Sequence, residues 1–90
     1  MKSQKGIDIC AEWIKAGYIE PRATLNKKMS SYGMKALVEA WAEQYVTNEE
    51  FIQAMLNCGY RAQQTSKDSP NFFFNWNYAK GHDWYSVQNK

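Results

Sequence analysis

The chain is poor in the residues that carry most catalytic and metal chemistry. Its 90 residues include one histidine (His82), two cysteines (Cys10 and Cys58), two prolines and five isolated glycines. With a single histidine and no CxxC pair, the ligand spacing of a zinc site is missing, and neither metal nor cofactor is expected. The glycines form no phosphate-cradling loop. No stretch approaches the ~18 consecutive apolar residues of a membrane-spanning helix, so no membrane partner is expected. The opening Met1-Lys2-Ser3-Gln4-Lys5-Gly6 is basic, but no apolar run follows it. A secretory signal is therefore not expected, and the expected compartment is the cytosol. Cys10 and Cys58 are expected as two reduced thiols packed on the apolar faces of helices.

What the chain does have is aromatic side chains: four Trp, six Tyr and four Phe, within an apolar content of 44%. That load excludes disorder as the main state and suits one small domain over residues 1–90. The net charge is only +2, but it is unevenly distributed. Residues 36–60 contain Glu39, Glu43, Glu49 and Glu50 and no base, whereas both flanking segments are net basic.

Apolar periodicity predicts three helices. The first is expected over Asp8–Ala16, with Asp8 as N-cap and Gly17 as terminator. Glu20-Pro21 reads as a break, and Thr24 as the cap of a short turn over 25–29. The second begins at Ser30 or Ser31 and carries an apolar stripe of Met34, Leu37, Val38, Trp41 and Tyr45, with Lys35, Glu39 and Glu43 on the other side. The third opens on the capping box Thr47-Asn48-Glu49-Glu50, with Val46 and Phe51 as a hydrophobic staple, and ends at Gly59. The pattern then changes. Tyr60–Gln64 alternates weakly, 65–70 is rich in turn formers, and Asn71–Tyr78 alternates with Phe72, Phe74, Trp76 and Tyr78 on one face. This predicts a hairpin. Residues 79–90 show no clear period and are expected as a tail, docked or flexible.

The expected fold class is therefore α+β: a three-helix core closed by a C-terminal β-hairpin, a reduced winged-helix-like plan in which the hairpin is the wing. The run Ser31-Tyr32-Gly33-Met34-Lys35, followed by Glu39, Trp41, Tyr45-Val46, Asn48, Phe51-Ile52, Ala54, Gly59-Tyr60, Ser69-Pro70-Asn71 and Phe74-Asn75, resembles small proteins carried by bacteriophages and integrated mobile elements. The resemblance covers roughly residues 30–75 and implies no catalytic residues.

An enzyme is not expected. His82 stands beside Asp83 in a segment with weak structural signals, and Glu39/Glu43 reads as solvated helix surface. Two binding readings stand nearly level. In one, a winged-helix-like accessory factor binds nucleic acid through Arg22, Lys27, Lys28, Lys35, Arg61 and Lys67, since phosphate contacts need such side chains. Docking through the third helix is disfavoured, because its first turn offers Asn48, Glu49 and Glu50, and no Lys or Arg occurs from 36 to 60. In the other, the protein binds and modulates a host enzyme or defence complex through Phe73, Trp84 and Tyr85, aromatic anchors in a polar rim.

Overall fold

A computed structural model describes residues 3–79. The elements run α1 (Gln4–Lys15), β1 (Ile19–Asn26), α2 (Ser31–Ala42), α3 (Asn48–Asn57), β2 (Ala62–Gln64) and β3 (Phe72–Tyr78). The class is α+β, with three helices against one three-stranded antiparallel sheet of order β1-β3-β2. The expected order of three helices and then a hairpin needs one correction: a strand intervenes between the first two helices, and the C-terminal strand is central. Among the described residues no helix is long and apolar enough to cross a membrane.

α1 starts earlier than Asp8. Ser3 is the N-cap, its hydroxyl accepting from the Gly6 amide at 3.2 Å, and Asp8 lies exposed inside the helix. The inward face is Ile7, Cys10, Trp13 and Ile14, at helical spacing. Gly17 and Gly59, both at φ +93, end α1 and α3 in the left-handed region that a side chain would strain.

The expected break at Pro21 and the short turn capped by Thr24 are replaced by β1. Proline in this strand is physically permitted because β1 is an edge, where a missing N–H costs no ladder bond. Ile19, Glu20 and Pro21 pair with Tyr78, Asn77 and Trp76, and the register then jumps to Asn26 opposite Phe74. Residues 22–25 thus bulge out opposite Asn75 alone.

α2 turns a different face inward from the one its stripe suggested. Met34 and Val38 are fully buried, but so is Ser31, and Lys35 is only 7% exposed. Leu37 is half-buried, while Trp41 and Tyr45 lie outward. The helix stops at Ala42, with Glu43 in the left-handed region, so Tyr45 leaves the stripe. α3 begins as its capping box predicts: Thr47 accepts from the Glu50 amide and Glu50 reaches back to the Thr47 amide. The staple residues Val46 and Phe51 are both fully buried.

The hairpin forms as expected, with Ala62, Gln63 and Gln64 opposite Phe74, Phe73 and Phe72. Phe74 and Trp76 close the open side of the helices. Phe51 stands between Trp13 and Phe74, with ring centroids 6.2 Å from each. The expected tail begins after the described residues, apart from Ala79, whose amide donates to the Tyr18 carbonyl at 3.0 Å.

Candidate nucleic-acid interface

The β1 bulge is built by side chains rather than by a ladder. Asn75, buried in the central strand, donates to the Arg22 carbonyl at 3.0 Å and accepts from the Arg61 amide at 2.6 Å. Arg61 Nη2 crosses to the Ala23 carbonyl at 2.6 Å. The Arg22 guanidinium folds onto its own bulge, Nε to the Thr24 carbonyl at 3.0 Å and Nη2 to the Leu25 carbonyl at 2.9 Å. All four carbonyls of residues 22–25 therefore accept from a side chain, and both arginines remain exposed. Buried Asn26 ends the bulge by donating to the Trp76 carbonyl and accepting from the Lys28 amide.

The register places the other basic groups. β3 begins where β1 and β2 end, so the turn after β1 and the loop between β2 and β3 leave the sheet at the same end. Lys27 and Lys28 stand exposed on that turn, and Lys67 on that loop. The loop is stitched by Thr65 Oγ1 to Ser69 Oγ, Asn71 N to Ser69 Oγ and Gln64 Nε2 to the Ser69 carbonyl. The helix N-termini are anchored there too. Asn48 Nδ2 of α3 donates to Pro70 O and Asn71 Oδ1, and Ser31 Oγ of α2 accepts from the Phe72 amide. The first turn of α2 carries no acidic residue, and its N-cap Ser30 makes no side-chain capping bond. Glu20 on β1, Asp68 beside Lys67, and Glu49 next to Asn48 are exposed carboxylates of this neighbourhood.

Lys35 leaves the basic set. Its ammonium lies 3.1 Å from Glu39 and about 5 Å from the ring centroids of Tyr32 and Tyr45. Glu39 also accepts from the Val46 amide, so this pair fixes the turn between α2 and α3. The solvated reading of Glu39 is corrected accordingly.

The first turn of α3 also differs from expectation. Asn48 is engaged with the loop, and Glu50 points inward, where its carboxylate accepts from the Thr47 amide, the Ser3 amide and the Ser3 hydroxyl at 2.7–2.9 Å. Burial alone would raise the Glu50 pKa, but these hydrogen bonds from Thr47 and Ser3 outweigh it and hold the carboxyl below its ordinary value. Of the two carboxylates expected to face a groove, only Glu49 is on the surface. Gln53 and Asn57, further along α3, bond to each other at 2.8 Å.

Of the aromatic set, Phe73 is half-buried on the outer sheet face, away from the core, and Trp84 and Tyr85 lie outside the described residues, as does His82. The exposed aromatics among the described residues are instead Tyr32 (62%), Tyr45 (76%) and Trp41. Tyr45 escaped the sequence because its spacing continued a helical stripe that the Glu43 turn interrupts. Asn75 and Asn26 were missed as well; a polar residue within an aromatic strand was the available signal for Asn75.

Cys10 is fully buried, and its thiol is pushed up to about 12, first by burial and then by the charges of Glu50 and Glu39, with Lys35 opposing. Such a thiol is inert. A concavity of about 450 Å³ lies between α1 and the end of α3, lined by Ile7, Ala11, Ile14, Pro21, Cys58 and Tyr60 among others. Among the described residues no group of three or more His, Cys, Asp and Glu side chains is placed to hold a metal ion. No family model matches the chain, and no curated protein or solved structure matches it significantly.

Proposed function

We propose that this protein is a small winged-helix-like accessory factor that binds nucleic acid without catalysis, in a phage or mobile-element setting. The observation that carries the reading is the convergence of Arg22, Lys27, Lys28, Arg61 and Lys67 on the outer face and one end of the sheet, beside the stitched loop. The element order supports it: α2 and α3 form a helix-turn-helix, β2 and β3 form a wing, and β1 pairs on the far side of β3. Phosphates are contacted by such exposed cations and by helix N-termini. The surface of α3, with Glu49, a self-paired Gln53 and Asn57 and no base, points to binding through the wing and the β1 bulge rather than through α3 in the major groove. The test is titration of a 20-bp duplex at two salt concentrations. With about four phosphates neutralised, affinity falls about 100-fold between 50 and 200 mM salt. A flat response, or no binding at the lower salt, removes the reading.

The second reading, a modulator of a host enzyme or defence complex, is favoured by Tyr32 and Tyr45, two exposed rings flanking the Lys35 ammonium. Rigid aromatic anchors of this kind dominate protein contacts. A Tyr32→Ala, Tyr45→Ala variant separates the readings, because it leaves duplex affinity unchanged if nucleic acid is the ligand.

A further inference from the structure

We propose that Arg22 and Arg61 form a preorganised guanidinium clamp for the phosphodiester backbone of nucleic acid, and that this clamp, rather than the lysines, anchors the complex. The inference rests on the nucleic-acid reading above and names the contact that carries it. It begins from an economy in the bulge: four consecutive carbonyls on an exposed edge, which water would satisfy, are served by side chains, three of them by the two arginines.

The consequence is geometric. Arg22 is held at two nitrogens and Arg61 at one, so each long side chain has already surrendered rotamer freedom before any ligand arrives. A guanidinium carries five N–H donors, and those not used on the bulge project from residues that are exposed. The holding partners are neutral carbonyl oxygens, which fix orientation without cancelling charge. Even fully extended, a chain spans at most about 7 Å over two residues, so guanidinium groups held on Ala23, Thr24 and Leu25 serve the same or adjacent phosphates. Planar forks of this kind match phosphate oxygens two at a time, which an ammonium cannot do. Lys27, Lys28 and Lys67 instead supply point charges from a turn and a loop.

The bulge is also continuous with the rest of the basic surface. Residue 26 ends it, and Lys27 and Lys28 follow at once on the sheet end that carries Lys67. A strand seated on the clamp therefore runs toward the wing.

The experiment compares wild type, Arg22→Lys with Arg61→Lys, and Lys67→Ala in anisotropy titrations of a 20-bp duplex. The double lysine variant keeps the charge count, so its salt slope stays that of wild type while its affinity drops about tenfold; Lys67→Ala loses about threefold or less and lowers the slope by about one. If the double variant binds as tightly as wild type while wild type shows the steep salt response, the clamp is wrong and the nucleic-acid reading stands. If wild type does not bind at low salt, both fall. A second measurement on the unaltered protein guards against misfolding of the variant: the Nε–Hε resonances of Arg22 and Arg61 move when the duplex is added. Signals that stay still at a saturating duplex concentration overturn the clamp.

Discussion

One carboxylate joins two helices. Glu50 completes the capping box of α3 and, through the Ser3 amide and hydroxyl, ties down the start of α1. Gly6 makes this approach possible, since a Cβ at that position would collide with the Glu50 carboxyl. The carboxyl is the far end of a flexible side chain, but moving it forfeits three hydrogen bonds. Gly6→Ala, which in an ordinary helix gains up to ~1 kcal/mol, is therefore expected to destabilise by about 1–3 kcal/mol. In a Glu50→Ala background the sign reverses, and urea denaturation of the double-mutant cycle reads the coupling. The pH dependence follows from the depressed carboxyl. Its stabilisation is fully present above the unfolded-state value, about 4.3, and is lost as pH falls through the lower folded-state value. Glu50→Gln should accordingly be less stable than wild type at pH 7, with the gap narrowing steadily below about pH 4 in thermal melts. The local half of this arrangement was legible, because T-x-x-E has a fixed geometry. The reach to Ser3 was not, since it spans 47 positions and depends on how α1 crosses α3.

At the scale of the element, signals local to a few residues were readable and those supplied by pairing were not. α3, the staple and the hairpin follow from capping, periodicity and turn chemistry. β1 does not, because Pro21 mimics a break and the strand's interior is exposed without alternation. Its residues are satisfied by Asn75, Arg61 and Arg22 rather than by alternating burial. The basic residues were identifiable as types, but their convergence required the register, and Lys35 was lost to Glu39 and two tyrosines. Asn75→Ala leaves the Arg61 amide and the Arg22 carbonyl without their partner in the middle of the sheet. The expected cost is about 2–3 kcal/mol in urea unfolding, with β1 amides exchanging faster than those of α3. A change confined to global stability, with β1 still protected, would show that the bulge holds without Asn75.

For the molecule as a whole, the small net charge conceals a polarity. Residues 36–60, without a base, form most of α2 and all of α3, while Arg22, Lys27, Lys28, Arg61 and Lys67 stand exposed on the sheet and its loops; the exposed Lys5 and Lys15 lie apart on α1. A base-free α3 beside a basic sheet end orients a polyanion toward the sheet, chiefly by attraction. Removing Lys27 and Lys28 together should weaken duplex binding and reduce the salt slope by about two, whereas Gln53→Ala with Asn57→Ala should leave both unchanged. The most direct test of where this protein meets its ligand is a residue-resolved footprint, an amide ¹H–¹⁵N spectrum titrated with a 20-bp duplex at low salt. The account predicts shifts concentrated in residues 22–28, at Arg61 and in residues 65–69. Shifts concentrated in α3, or none at all, would contradict it.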